Sequence, residues 1–219
     1  MTALPWPPIL VITDRNQCAE PLEARAASLF GGGCRWLSLR EKDLEAMERR
    51  ALLKRLAVIA EPFGAIVGIH DDLDAALAGD APLHLPSAAD TAAARRALGY
   101  GRLLGKSCHS QADVATAARD GADYVTLSPF FPTASKPGYR TMLDPAALNR
   151  IVAEAALPVL ALGGVTHAML PELKGGAVKG IAIMGEAMRI PDPRTWFADI
   201  AEIWIAKSPM KGSRPSHTG

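Results

Sequence analysis

Eight times between Ile9 and Ile205 the chain passes from a short apolar run into a longer segment whose apolar residues recur at helical spacing. The runs read as strands at Ile9–Thr13, Arg35–Arg40, Ala65–His70, Pro82–Leu85, Leu103–Ser107, Asp123–Leu127, Pro158–Leu162 and Gly180–Met184. They are rich in Ile, Leu and Val without strict apolar/polar alternation, the pattern of parallel strands covered on both faces. Eight strand-helix units in about 200 residues predict an α/β protein with a single (β/α)8 TIM barrel over residues 1–206. An open doubly wound sheet would carry G-x-G-x-x-G after its first strand, whereas Thr13 runs into Asp14-Arg-Asn. The tail 207–219 is polar and rich in Pro, Gly and Ser, and is expected to be disordered.

Between the strands, helices are predicted from about Ala19 to Phe30, stopped by Gly31-Gly-Gly33, and from Asp43 to Glu61. Further helices are expected at Leu73–Ala78 behind Asp71-Asp72, up to Leu98 behind an Asp90 cap, and at Gln111–Arg119. Asp144 and Pro145 supply an N-cap and an N1 proline for the sixth, Thr166 caps a seventh reaching Lys174, and Pro193–Ile205 is the eighth. With 24 basic and 23 acidic residues the net charge is +1, so nothing at chain level points to nucleic acid, and an anion site has to be local. Cys18, Cys34 and Cys108 lack metal spacing and suit a reducing compartment. Residues 1–8 do not have the pattern of a signal peptide, and no apolar run approaches the roughly 20 residues of a bilayer span. The expectation is a cytoplasmic protein with no membrane partner, its oligomeric state left open between monomer and homo-oligomer.

Barrel active sites lie at the C-terminal strand ends, so each exit can be read for chemistry. The second gives Arg40, Glu41 and Lys42, the third His70, Asp71 and Asp72, and the fourth Ser87. The fifth gives Ser107 and His109, and the sixth Ser128, then a Pro-punctuated loop with Thr133 and Lys136. Gly163-Gly164 follow the seventh, and Met184-Gly185 close the eighth. Glycines after strands seven and eight let backbone N–H groups approach phosphate oxygens without a Cβ in the way, although Gly163-Gly164 could simply form a tight turn. Arg40, Lys42 and Lys136 form a second cationic group that could hold a pyrophosphate. Asp71 could hold Mg²⁺ against that pyrophosphate, or serve only as a helix-start residue. His109 with Ser107 can exchange protons or hydrogen bonds with a bound ring. His84 reads as a core or layer residue, and His70 can be read either way.

Val11-Ile-Thr-Asp14, Leu39-Arg-Glu-Lys42, His70-Asp-Asp-Leu-Asp-Ala-Ala-Leu77, Gly105-Lys-Ser-Cys-His109, Gly121-Ala-Asp-Tyr124, Ser128-Pro-Phe-Phe-Pro-Thr-Ala-Ser-Lys136 and Ala161-Leu-Gly-Gly-Val165, in that order, resemble thiamine-phosphate synthase and its paralogue thiazole tautomerase. The resemblance spans about residues 9–190. It implies a transferase in which a pyrimidine-methyl pyrophosphate ionises and a thiazole nitrogen captures the carbocation. It would place Arg40, Lys42 and Lys136 on pyrophosphate, Asp71 on Mg²⁺, and Ser107 and Thr133 on substrate or pyrophosphate. Gly163, Gly164 and the loop around Met184 and Gly185 would hold the thiazole phosphate.

The departures from the synthase pattern are Ser38 in place of Gln, His70 in place of Asn, and Pro86-Ser-Ala-Ala89 in place of G-Q-E-D, with Asp90 one position late. Tyr139-Arg-Thr-Met-Leu143 replaces an expected glycine, and Arg140 could supply a phosphate contact there. Leu85-Pro-Ser87 and Ser107-Cys-His109 look like the metal-free tautomerase, whereas Arg40-Glu-Lys42 retains the synthase's second cation. Synthase is therefore the leading expectation. A tautomerase or an inactive thiazole- or thiamine-phosphate-binding relative remains the alternative, and small phosphorylated heterocycles are the expected partners in every case.

Overall fold

The computed structural model describes residues 3–131, 144–174 and 176–206. Eight strands close into a barrel in sequence order: β1 (Ile9–Ile12), β2 (Trp36–Leu39), β3 (Ile66–His70), β4 (Leu83–Leu85), β5 (Leu104–Cys108), β6 (Tyr124–Leu127), β7 (Val159–Ala161) and β8 (Gly180–Ile183). All pairings are parallel, including β8 with β1 at Ile9↔Ile181 through Val11↔Ile183. The (β/α)8 reading holds, with strand ends displaced by one or two residues. The expected disordered tail 207–219 lies outside the described residues.

The helices are α1 (Leu22–Gly31), α2 (Ala46–Ala60), α3 (Leu73–Ala78), α4 (Thr91–Leu98), α5 (Gln111–Arg119), α6 (Pro145–Glu154), α7 (Leu170–Lys174), α8 (Gly185–Arg189) and α9 (Pro193–Ile205). Among the described residues no helix is long and apolar enough to cross a membrane. Asp72, Asp90 and Ser110 cap α3, α4 and α5 by accepting from the backbone N–H of Ala75, Ala93 and Asp113. Two expected caps fail. Asp144 makes no side-chain cap bond, leaving the preset φ of Pro145 to start α6. Thr166 makes none either, because its segment opens as a 3-10 turn, His167–Met169. There the Glu186 carboxylate, arriving from α8, accepts the His167 N–H at 3.0 Å.

Apolar residues pack in two radial layers. Leu10, Ile12, Trp36, Leu103, Tyr124, Leu160 and Ala182 fill the interior, so the barrel is a packed core with no pore. The opposite faces of the same strands, including Val11, Leu37, Ile69 and Ile183, pack against the helices. This is why every strand is apolar on both sides. The side-chain period of two then assigns Ser38, His70, His84, Ser107 and Thr126 to the interior, on the same faces as Trp36 and Tyr124.

At the N-terminal end, Arg95 of α4 and Asp123, just ahead of β6, form a buried ion pair at 2.6 Å, with side chains 4% and 6% exposed. Arg95 also donates to the carbonyls of Gly121, Gly99 and Arg102, and Asp123 accepts the Leu104 N–H at 3.0 Å. The pair thus ties α4 to the starts of β5 and β6. Breaking it strands one charge in the core. Asp123→Leu should cost about 3–5 kcal/mol in urea unfolding, and Arg95→Met/Asp123→Leu should recover much of that loss. Equal stability of Asp123→Leu and the native chain would contradict a structural role for the pair.

Candidate active site at the barrel mouth

The β2 exit separates its three charges. Glu41 is 2% exposed, and its carboxylate accepts the Arg15 backbone N–H through both oxygens at 3.1 Å and Arg15 Nη1 at 3.2 Å. It anchors the turn after β1. Asp43 takes the same guanidinium at 2.5 Å, which raises the Arg15 pKa and holds the Asp43 carboxyl well below its ordinary value. Arg40 and Lys42 are thereby left for the mouth. The Arg40 backbone is pinned by its N–H donating to Thr13 Oγ1 at 2.9 Å, and its Nη1 lies 3.9 Å from Met184 Sδ beyond β8. One guanidinium therefore reaches from the second exit toward the eighth.

His70 ends β3 and stacks on His84 with ring centroids 5.0 Å apart. Burial, then the positive charges of Arg40 and Lys42, push its imidazole from 6.5 down to about 4, so it is neutral near pH 7. Burial is the larger cause, and the two cations add to it because both lie near this exit. The Asp71-Asp72 pair divides. Asp72 is buried, caps α3 and pairs with Arg49 at 2.7 Å, whereas Asp71 is exposed in the left-handed region at φ 57°.

At β5, Ser107 Oγ lies 3.0 Å from His84 Nε2, and His84 Nδ1 lies 3.0 Å from the Tyr124 hydroxyl. His84 is a core residue, as expected, but one bonded to a site residue. His109 donates Nδ1–H to the Ser128 carbonyl at 2.8 Å, and its own N–H donates to Asp113 at 2.9 Å. A carbonyl only accepts, so the lone pair of neutral His109 sits on Nε2.

Past β6, the Phe130 N–H donates to the Leu162 carbonyl and the Phe131 N–H to the Gly163 carbonyl, both at 2.9 Å. The loop therefore departs from beside the glycine turn. Thr133, Lys136 and Arg140 lie outside the described residues. Gly163 and Gly164 have φ 89° and 66°, and a Cβ on Gly163 would come within 3.1 Å of Pro129 Cα. Both positions require glycine for the turn itself, and the turn lays open backbone at the rim.

Gly185 begins α8, and a Cβ there would lie 2.6 Å from Arg189 Nη1. Arg189 curls back one turn to this glycine, bonds Gln17 Oε1, and among the described residues pairs with no carboxylate. The sequence reading passed over it, along with the whole of α8. The available signal was a cation four residues after a glycine at a strand exit.

Three buried polar atoms have no hydrogen-bond partner among the described residues and belong to this interior: Ser38 Oγ, His70 Nδ1 and Thr126 Oγ1. Such atoms are rare in native proteins and suit a polar ligand. Among the described residues no cluster of three or more His, Cys, Asp or Glu could cage a metal. Magnesium needs no such cage, since one or two carboxylates plus phosphate oxygens suffice. Asp71 fits that role as a single carboxylate. Asp90 is committed to capping α4, its Oδ1 2.9 Å from the Ala93 N–H.

A cleft of about 790 Å³ opens at the opposite end between Trp6, Arg35, Arg102 and Leu103. Its arginines are already used: Arg35 donates to the Phe30 and Cys34 carbonyls, and Arg102 to Asp80 and the Leu98 carbonyl. The candidate site is therefore the C-terminal mouth.

A parallel barrel whose C-terminal rim carries a glycine turn after β7, a glycine at the helix start after β8 and cations at other exits is the architecture of a phosphate-handling (β/α)8 protein. Within that class the chain belongs to the thiamine monophosphate synthase family, whose family model matches residues 9–187. It is 38% identical over 192 residues to a Geobacter sulfurreducens protein provisionally named a thiamine-phosphate synthase, covering 85% of this chain and 89% of that one. It is 32% identical over 204 residues to the thiamine-phosphate synthase of Thiobacillus denitrificans, covering 91% and 95%. Among solved structures, thiamine phosphate pyrophosphorylase from Pyrococcus furiosus matches with a TM-score of 0.79 at 26% identity, over 89% of this chain and 94% of that one.

The geometry sets a pH test. An NMR titration should give His70 a midpoint near 4, and Arg40→Gln should raise it toward 6.5. Because the unfolded chain takes up this proton near 6.5 and the folded chain only near 4, the His70 contribution to stability is present above 6.5 and is lost as the pH falls to about 4. A midpoint unmoved by Arg40→Gln would detach Arg40 from this exit.

Proposed function

We infer that the chain is a thiamine-phosphate synthase, joining a pyrimidine-methyl pyrophosphate to a thiazole phosphate and releasing pyrophosphate. The carrying observation is that Arg40, reaching toward Met184 and adding to the effect of burial on the His70 pKa, puts fixed positive charge inside a mouth that also holds the Gly163-Gly164 turn. The bond between the pyrimidine methylene and the pyrophosphate oxygen breaks, and its electron pair leaves with pyrophosphate. The thiazole nitrogen lone pair then forms the new C–N bond, giving a thiazolium without any proton transfer. What such a reaction needs is stabilisation of charge as it develops on the leaving group.

Arg40, Lys42 and Lys136 take the pyrophosphate, with Thr133 and Ser107 as uncharged donors. Gly163, Gly164 and Gly185 offer backbone N–H groups to the thiazole phosphate, Met184 borders it, and Arg189 adds charge beside Gly185. Asp71 together with pyrophosphate oxygens would hold Mg²⁺, which when bound neutralises part of the charge on the leaving group. His70, neutral and stacked on His84, packs beside the cations without adding a charge of its own.

A second reading, the metal-free thiazole tautomerase, is favoured by one feature. The His109 Nδ1 proton is committed to Ser128, which makes Nε2 the nitrogen that takes up and returns a substrate proton.

The two are separated by incubating the protein with both phosphorylated precursors, with and without Mg²⁺, and measuring thiamine phosphate. Synthesis that depends on Mg²⁺ is expected, and Lys136→Ala should lower kcat about 10²-fold or more. No thiamine phosphate, with the thiazole carboxylate tautomer still aromatised, would replace the synthase reading by the tautomerase.

A further inference from the structure

The Ser107–His84 contact has the spacing of a serine activated by a histidine base, 3.0 Å from Oγ to Nε2. What lies on the far side of the ring decides whether it works that way. His84 Nδ1 faces the hydroxyl of Tyr124, which is 2% exposed, with its ring at 4.7 Å from Trp36 and across Gly105, where a Cβ would lie 2.1 Å from the ring. The phenol therefore has no room to turn elsewhere.

The three groups carry three protons when His84 is neutral, the form favoured for an imidazole 2% exposed and without a carboxylate partner among the described residues. Two of those protons make the two hydrogen bonds, and one is left over. If Nδ1–H donated to Tyr124 and Ser107 donated to Nε2, the spare donor would be the phenol, with no acceptor among the described residues. A buried donor without a partner is the costly arrangement. If Tyr124 donates to Nδ1, Nε2–H donates to Ser107, and the spare donor is the Ser107 hydroxyl. That group is half-buried near the end of β5, where substrate or water can accept from it.

We propose that Tyr124 and His84 are positioning residues that fix the polarity of Ser107, so that its hydroxyl is a hydrogen-bond donor aimed into the mouth and never a nucleophile or base. A histidine that donates to the serine cannot also remove its proton. Ser107 then serves an acceptor atom on the substrate, a role suited to a leaving group that gains negative charge. The catalytic part of this inference rests on Ser107 contacting substrate as proposed above, whereas the polarity itself belongs to the free protein.

The test has two arms. In ¹⁵N NMR of the native, histidine-labelled full chain, His84 should show a protonated Nε2 and an unprotonated Nδ1, and the opposite tautomer would overturn the proposal. In the two-precursor assay, Ser107→Ala and Tyr124→Phe should each lower kcat on the order of tenfold, less than the loss of a full oxyanion donor, with KM little changed. Because Tyr124 acts only through Ser107, the double variant should be no slower than Ser107→Ala alone, and multiplied losses would count against the relay. If the native protein made no thiamine phosphate, the proposed activity would fall while the tautomer still decided the polarity. If Tyr124→Phe failed to fold, the native spectrum would decide it in the same way.

Discussion

Parallel hydrogen bonding of β8 to β1 closes the sheet, and the positions of all the polar groups at the mouth follow from that closure. With every strand pointing the same way, every strand exit falls on one rim, and residues as distant in the chain as Arg40 and Met184 come within 3.9 Å. Closure also divides the labour of the two ends. The N-terminal end carries the buried Arg95–Asp123 pair, and the C-terminal end carries both paired charges, Glu41 and Asp72, and cations such as Arg40 that have no ion-pair partner among the described residues.

That second property is costly for folding and useful for chemistry. Arg40 beside a histidine held neutral, Arg189 beside a glycine at a helix start, and Ser38 Oγ, His70 Nδ1 and Thr126 Oγ1, buried without a partner among the described residues, would each stabilise the protein more if satisfied internally. Glu41 and Asp72 show how the fold treats charges it keeps for itself: both are buried and bonded to arginine, one holding the turn after β1 and the other capping α3. The adjacent Lys42 and Asp71 are exposed. Alternation along the chain thus assigns one charge of each pair to structure and its neighbour to the mouth.

Most of the fold was legible from the sequence because it rests on local signals. Strands apolar on both faces and helices α3, α5 and α9 fall where periodicity and turn residues put them. What was not legible depends on partners far along the chain. Thr166 looked like a cap, but Glu186 does that work across 19 residues. α8 is one turn long and follows directly on a strand, too short for a periodicity to register. His84 could be read as buried from its place in a strand, yet its bonds to Ser107 and Tyr124 span 23 and 40 residues and exist only once the barrel is closed. The grouping of Arg40 with Lys42 near His70 was foreshadowed by their places at neighbouring exits, whereas Lys136 and Thr133 fall outside the described residues and rest on the sequence pattern.

The central claim is that one mouth, at the C-terminal ends of the strands, receives both phosphorylated groups. A crystal structure of the protein with thiamine phosphate and pyrophosphate tests it most directly. The account predicts pyrophosphate against Arg40 and Lys42, with the thiazole phosphate at Gly163, Gly164 and Gly185. Either ligand bound instead in the opposite cleft, between Trp6 and Arg102, would contradict it.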